Sequence, residues 1–132
     1  MEKTIFERIA QKEIPAYVIH EDADFMAFLD IAPSSFAQTI VIPKVQKDSY
    51  VFKHDQEFMS KYWEYIRKIA LLLDEKLGTL RTIVMFEGFE VNHLHAKLYP
   101  ILNMQEAENF NPRKKGELTK EEAQAILKKI NS

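Results

Sequence analysis

Two histidines and a lysine alternate with apolar residues toward the end of the chain. His93, His95 and Lys97 lie in the segment 91–100, whose sequence is VNHLHAKLYP. Imidazole has an ordinary pKa of about 6.5, so at neutral pH it is largely the neutral nucleophile that can attack phosphorus. Imidazolium and ammonium groups offset the charge of a phosphate and donate hydrogen bonds to its oxygens. The row therefore predicts a site, centred on His95, that binds phosphate or splits a phosphoryl bond.

The alternation predicts that this row sits on one β-strand over residues 91–102, the last strand of the fold. Side chains two residues apart share a face of a strand and lie roughly 6 to 7 Å apart. One face would thus carry His93, His95, Lys97 and Tyr99. The apolar residues between them would pack against the core, so the strand would present its polar row to a ligand.

The same row admits two other interpretations. A histidine on a strand is commonly no more than a polar surface group. The spacing His93-x-His95 can also present two ligands to zinc or iron, but a cationic Lys97 at the next alternate position disfavours a metal ion. We therefore expect neither a metal nor another cofactor, and we favour the phosphate site.

Short elements before this strand would position it. Aromatic and β-branched residues predict strands over 16–20 and 25–29, joined as a hairpin by an acidic turn, and a third strand over 39–42. A fourth strand is predicted over residues 81–86. Hairpin strands combined with helices are typical of an α+β fold in which the sheet is largely antiparallel.

The longest helix is predicted over residues 55–77, with Gly78 as its C-terminal stop. Its apolar stripe recurs every three to four residues and consists of Phe58, Met59, Tyr62, Tyr65, Ile66, Ile69, Leu72 and Leu73. Trp63 widens the stripe on one side. A stripe this wide is either plain core or, in part, a dimer face.

Two capping boxes predict short helices at the two ends of the chain. Thr4 with Glu7 would open the first helix, and Thr119 with Glu122 would open a C-terminal helix over 119–131. The polar segment 103–118 between the last strand and that helix is predicted to be a mobile loop. No linker divides the chain, so residues 1–132 are expected to form a single domain.

Composition narrows the class of protein. The 132 residues are 46% hydrophobic and carry a formal charge of −2, which favours a globular domain and gives no strong signal for nucleic acid or an anionic membrane. Cysteine is absent, which excludes disulfides, thiolate metal sites and thiol catalysis. The N-terminus lacks the apolar core of a signal peptide, and no run approaches a membrane span. We expect a cytoplasmic protein.

Four landmarks in the chain resemble the histidine triad (HIT) family. Residues 93–99, HLHAKLY, are similar to the family signature His-φ-His-φ-His-φ-φ, in which φ is apolar. Residues 12–22, 25–33 and 41–44 resemble, in the same order, the family's entry into its first hairpin, its second strand with the nucleotide loop, and its next strand. Together they span about residues 5 to 100.

The resemblance implies a five-stranded antiparallel sheet with one long packed helix, commonly in a homodimer. It implies a nucleoside phosphate or dinucleoside polyphosphate ligand and a hydrolase or nucleotidyl transferase that acts at the α-phosphorus through a covalent nucleotidyl-histidine. The catalytic residues would be His95 as nucleophile, with His93 and Lys97 assisting. The substrate-binding residues would be Asp30 for the ribose, Gln38, and an apolar lining of Ile14, Val18, Phe28 and Ile31. Core packing is an equally good role for those last four.

The chain also departs from the family pattern. Lys97 replaces the third motif histidine, and Gln38 stands where the family often has a further histidine. The stretch before the motif, residues 86–91, appears in a shortened form, and its Glu87 and Glu90 could oppose a phosphate, hold a cation, or face solvent. The alternative function is therefore a catalytically weak or inactive module that binds a nucleotide or phosphate.

Overall fold

Five antiparallel strands form the sheet on which the rest of the chain packs, in a computed structural model that describes residues 2–132. In chain order the strands are β1 (Val18–Glu21), β2 (Phe25–Leu29), β3 (Thr39–Pro43), β4 (Arg81–Met85) and β5 (Ala96–Ile101). Their spatial order is β1-β2-β3-β5-β4, so β1 and β4 are the edges. Every neighbouring pair is antiparallel, which confirms the predicted α+β fold.

Helices complete the fold and begin where the sequence places their caps. They are α1 (Ile5–Ala10), α2 (Gln56–Leu77), α3 (Met104–Glu108) and α4 (Lys120–Ile130). Both predicted capping boxes are present, at the starts of α1 and α4. In each box the threonine hydroxyl and the glutamate carboxylate satisfy two backbone N–H groups that a helix start leaves free. Within residues 2–132, no helix is both long and apolar enough to cross a membrane.

Helix α2 supplies most of the core. Asp55 caps it, accepting a hydrogen bond from the backbone N–H of Phe58 at 2.9 Å, and Gly78 ends it in the left-handed conformation that glycine tolerates best. The buried stripe consists of Tyr62, Tyr65, Ile66, Ile69, Leu73 and Leu77. This stripe is therefore core within the protomer, whereas Trp63 beside it is 47% exposed.

The two faces of the sheet carry separate apolar clusters. The larger cluster joins α2 and α4 to one face, through strand residues such as Ala27, Val41 and Leu98. The smaller cluster joins α1 to the opposite face and consists of Phe6, Ile9, Met26, Phe28, Ile40 and Ile42. Alternate residues of β2 and β3 belong to different clusters, as the two-residue period of a strand requires.

The strand that was predicted over residues 91–102 is shorter, because β5 begins only at Ala96. The ladder with its partner β3 stops at the pair of Val41 with Ala96, two residues before β3 itself ends at Pro43. His93 and His95 therefore precede the strand, in an irregular segment. The predicted alternation of faces is nevertheless kept, since Leu94, Ala96 and Leu98 all join the α2 cluster.

The segment 103–118, predicted as a loop, contains α3 and returns to the loop after β2. The backbone N–H of Gly116 donates to the carbonyl of Pro33 at 2.7 Å, and that of Leu118 donates to the carbonyl of Ile31 at 3.0 Å. The ring of Phe110 packs against Tyr99. The mobility of this segment stays a prediction, but the contacts show how it reaches the side of the sheet on which α1 lies.

Candidate functional site

A cavity of about 270 Å³ opens between α1, the end of β2 with its following loop, and the start of β5. Most of its wall is apolar and includes Ile5, Phe6, Ile9, Ile14, Phe28, Ile31 and Ile40. Its polar and charged lining consists of Asp30, Glu87, Glu90, His95, Lys97 and Lys115. A largely apolar cleft with a few converging polar groups is the usual form of a small-molecule site.

His95 is the central polar residue of this cavity. Its Nδ1 lies 2.7 Å from the backbone carbonyl of His93. A carbonyl oxygen can only accept, so Nδ1 carries the hydrogen and Nε2 of the neutral ring keeps a lone pair. Burial lowers the pKa of His95, and the nearby Lys97 lowers it further, which favours that neutral ring at pH 7. The arrangement is that of a nitrogen nucleophile.

His93 lies behind His95, outside the cavity lining. Its side chain is fully buried, with Nε2 at 2.8 Å from the carbonyl of Pro43 and Nδ1 at 2.8 Å from the hydroxyl of Thr4. Burial is also the main cause that lowers the pKa of His93. Both ring nitrogens are engaged, so the direct contact with a phosphate that a shared strand face predicted is not open to His93.

The engagement of His93 also bears on the metal alternative. With Nε2 held by Pro43 and Nδ1 by Thr4, neither nitrogen is available as the first ligand of a His93-x-His95 site. In the part of the chain from residue 2 onward, no group of three or more histidine, aspartate or glutamate side chains is arranged to hold a metal ion. The two histidines therefore do not present a pair of ring nitrogens to one ion.

Lys97 lines the cavity next to His95 and forms an ion pair with Glu87, with 2.9 Å between Nζ and Oε1. Glu87 thus holds Lys97, which was one of the three roles that the sequence left open for it. Glu90 lies 3.7 Å from the ammonium of Lys115 in a second, more exposed pair. Each of the two lysines in the cavity lining therefore has a carboxylate partner.

The predicted ribose and amide residues lie together, but only one of them lines the cavity. Asp30 lines the cavity. Gln38 is buried beneath it and donates from Nε2 to the Asp30 carboxylate at 2.9 Å. The carbonyl oxygen of the Gln38 side chain accepts from the backbone N–H of Ser34. Gln38 is therefore placed to orient Asp30 and the loop after β2, and not to meet a phosphate as its position in the motif suggested.

Three of the four apolar residues predicted to surround the base line the cavity, namely Ile14, Phe28 and Ile31. Val18 does not, and it packs against the smaller apolar cluster instead. The sequence prediction missed the contribution of α1, which supplies Ile5, Phe6 and Ile9 to the wall. The signal for those residues was their position on one side of α1, but nothing local indicates what that side covers.

A second cavity of about 480 Å³ adjoins the first and shares Glu87, Glu90, Lys97 and Lys115 with it. Its own lining adds Met85, Phe89, Tyr99, Pro112 and Arg113. The two ion pairs thus form a partition between an apolar space that contains His95 and a more polar space beyond. A ligand that reaches His95 from the apolar side has room beyond Lys97 for a further group.

Comparison with known proteins matches the same region. The model of the HIT domain covers residues 11–100. Protein HitA of Neisseria gonorrhoeae is 35% identical over 99 residues, which are 72% of this chain and 92% of that protein.

Solved structures agree over nearly the whole chain. The crystal structure of a hypothetical histidine triad nucleotide-binding protein from Sulfolobus tokodaii has a TM-score of 0.78 and 25% identity, covering 95% of this chain and 87% of that one. A Hit-like protein involved in cell-cycle regulation from Bartonella henselae, solved with an unknown ligand, has a TM-score of 0.79 and 26% identity, covering 97% and 93%.

Proposed function

This chain belongs to the HIT domain family, and on that premise we propose that it binds a nucleoside phosphate and cleaves it at the α-phosphorus through His95. The observation that carries the proposal is the hydrogen bond from Nδ1 of His95 to the carbonyl of His93. It leaves a lone pair on Nε2 of a residue that lines the cavity of about 270 Å³. A buried, neutral imidazole in that tautomer is a competent nucleophile.

The reaction has two displacements. The Nε2 lone pair of His95 forms a bond to the α-phosphorus, and the bond from phosphorus to the leaving group breaks, with its electron pair departing on that group. The ring then carries positive charge, which the carbonyl of His93 stabilises through the retained Nδ1–H. Water attacks the same phosphorus and gives up one proton to the solvent, the phosphorus–nitrogen bond returns its electrons to His95, and the nucleoside monophosphate is released.

The remaining residues bind the substrate. Lys97 lies beside His95 and supplies an ammonium group for the phosphate oxygens, once these compete with Glu87 for it. Asp30, held by Gln38, accepts hydrogen bonds from the ribose hydroxyls. Ile14, Phe28 and Ile31 surround the base. The leaving group of a dinucleoside polyphosphate or a phosphoramidate extends into the second cavity.

The test is turnover of a nucleotide panel by wild type and by His95→Ala, with mass spectrometry of the quenched protein. The panel contains dinucleoside polyphosphates, nucleoside phosphoramidates and sugar nucleotides. We expect turnover to fall by at least about 10³-fold in the variant, since removal of a nucleophile abolishes the covalent route. A nucleotidyl adduct should appear on wild type alone. Turnover that survives the substitution would refute the mechanism.

A second candidate function is nucleotide binding without turnover. It is favoured by the ion pair of Lys97 with Glu87 and by the burial of Gln38, which together leave few free donors for a transition state. Calorimetry with nucleoside mono- and diphosphates separates the two. Binding by wild type with neither turnover nor an adduct would establish this candidate, and no binding at all would exclude both.

Dimerisation is a further part of the proposal. The groove between α2 and the edge strand β4 is lined by Trp63, Leu71 and Val84, which are 47%, 50% and 37% exposed. An unpaired edge strand with apolar neighbours is a surface that proteins usually cover. Light scattering at micromolar concentrations should give twice the chain mass for wild type and a lower mass for Trp63→Glu. A monomeric wild type would refute it. The cytoplasmic location likewise stays a prediction.

A further inference from the structure

A hydroxyl at the start of α1 touches the histidine that lies behind the candidate nucleophile. Thr4 Oγ1 is 2.8 Å from Nδ1 of His93, although 89 positions separate the two residues in the chain. The same hydroxyl oxygen accepts the backbone N–H of Glu7 at 3.0 Å, as the cap of α1. Thr4 does not line the cavity, so it has no contact with a ligand there.

The direction of each hydrogen bond follows from its partner. Nε2 of His93 faces the carbonyl of Pro43, which can only accept, so Nε2 carries the hydrogen of the neutral ring. Nδ1 is therefore a lone pair, and the hydroxyl of Thr4 must donate to it. A hydroxyl has one hydrogen to donate, and here that hydrogen is committed to His93 while the oxygen accepts from Glu7.

The backbone of residues 93–95 connects the anchored ring of His93 to His95. Residues 91–95 lie outside the strands, so no ladder of sheet hydrogen bonds fixes the backbone at His93. The backbone N–H of His93 donates to Val91 at 2.9 Å, and that of Leu94 donates to Lys47 at 2.8 Å. The His93 ring adds two anchors, and the carbonyl of the same residue accepts the Nδ1–H of His95.

We propose that Thr4 is a positioning residue: its hydroxyl donates to the Nδ1 lone pair that the Pro43 carbonyl leaves on His93, and by anchoring that ring it orients the carbonyl that fixes His95 with its Nε2 toward the cavity. Helix α1 then contributes to the candidate site in two ways, through Thr4 at its N-cap and through the side chains that line the cavity. The catalytic part of this inference rests on the proposed function, whereas the anchoring of the His93 ring by Thr4 does not.

Three substitutions of Thr4 separate positioning from capping. Thr4→Ser keeps the hydroxyl and should behave as wild type. Thr4→Val removes both the donor and the cap. Thr4→Asp keeps a good N-cap acceptor for Glu7 but has no hydrogen to donate to His93 at neutral pH. Thr119→Val is the matched control, because it removes the cap of the other capping box and leaves His93 untouched.

The experiment records proton–nitrogen NMR spectra of the imidazoles together with kcat, KM and the melting temperature. In Thr4→Val and Thr4→Asp we expect the Nδ1 shift of His93 to move, because that nitrogen loses the hydrogen bond from Thr4. We also expect kcat to fall roughly tenfold or more, with KM nearly unchanged. Thr119→Val should lower the melting temperature as Thr4→Val does, without changing kcat or the His93 shifts.

Each other outcome has a definite meaning. Wild-type shifts and kcat in Thr4→Asp would show that Thr4 only caps α1 and would overturn the proposal, as would a Thr4→Ser variant that fails to rescue. If wild type turns over no nucleotide, the proposed function fails, and the nitrogen shifts alone then decide whether Thr4 anchors the His93 ring. Unchanged shifts in folded Thr4→Val would overturn that as well.

Discussion

The two faces of the sheet differ in how completely helices cover them. On one face the 22 residues of α2, together with α4, bury side chains such as Tyr62, Ile69 and Leu73 completely. On the other face α1 has only 6 residues and leaves the cavity beside His95. Apolar surface that is fully buried stabilises a fold in proportion to its area. A face that helices cover only in part leaves space for a ligand. We call the face under α2 and α4 the closed face and the face under α1 the open face. The closed face accounts for most of the buried core, and the open face holds the candidate site.

The largest effect on stability should follow from Leu73→Ala, on the closed face. Leu73 is fully buried in the larger apolar cluster, so truncation to alanine removes side-chain volume from the core. We expect the free energy of unfolding to fall by about 2–5 kcal/mol, with kcat of the folded fraction unchanged. Denaturant unfolding and turnover below the melting temperature measure both. A loss below about 1 kcal/mol would show that this face is not tightly packed.

Phe6→Ala is the matching truncation of a buried side chain on the open face. The Phe6 ring lies 4.9 Å from that of His95 and 5.9 Å from that of Phe28. Because the space it leaves joins the cavity, we expect a smaller stability loss than for Leu73→Ala. Loss of an aromatic wall should weaken nucleotide binding roughly tenfold, or about 1.4 kcal/mol.

Calorimetric titration and unfolding of the two variants complete this comparison. Phe36→Ala is the control, since Phe36 is 37% exposed and lies outside the cavity lining. Equal nucleotide affinity in Phe6→Ala and wild type would remove α1 from the binding site.

We expect acid to lower the free energy of unfolding through the two buried histidines, His93 and His95. Burial lowers the pKa of both His93 and His95 from the ordinary value of 6.5. The unfolded chain therefore binds more protons than the folded one as pH falls below about 6.5. The stability contributed by the neutral rings is fully present above that pH and is lost below it, at up to roughly 1.4 kcal/mol per pH unit for each proton.

Unfolding free energy measured from pH 7.5 to 5 checks this sign, in buffers of constant ionic strength. The slope should flatten in His93→Gln with His95→Gln, and it should persist in Leu73→Ala, since that change lies on the closed face. A flat wild-type curve over this range would mean that the two rings titrate as they do in the unfolded chain.

The smallest effect concerns the partition between the two cavities. Glu87→Gln removes the partner of Lys97 and frees its ammonium for phosphate. We expect nucleoside monophosphate affinity to rise about two- to fivefold, since partly exposed pairs contribute up to roughly 1 kcal/mol. The acid limb of the turnover profile should move to lower pH, because Glu87 raises the pKa of His95.

Glu90→Gln is the matched variant for this partition, since its pair with Lys115 is longer and more exposed. It should change affinity less than Glu87→Gln does. Weaker nucleotide binding in Glu87→Gln would indicate that Glu87 itself contacts the ligand.

Much of this architecture could be predicted from the sequence. Capping boxes, the stop at Gly78 and the stripe of α2 depend on residues within a few positions of one another, and all are present. The α+β class and the family also follow from local runs in a fixed order. The start of β5 did not follow, because it depends on where pairing with the distant strand β3 stops, at Val41 with Ala96.

The candidate site was predicted less evenly. The cavity lining includes His95, Lys97 and Asp30, as their motif positions suggested. Gln38 instead orients Asp30, and Val18 packs against the smaller apolar cluster. The roles of buried polar groups depend on which partner is in reach, and that partner is set by folding. The motif specified the residue types without specifying their hydrogen bonds.

The sequence by itself determined the elements, because helix and strand periods, caps and stops act between neighbours along the chain. It also supplied the candidate nucleophile, the imidazole of His95. Only the tertiary structure decided that α1 would wall the cavity and that the cap of α1 would meet His93, 89 positions away. The physical reason is that an imidazole acquires its tautomer from whichever donors and acceptors packing brings to its two nitrogens.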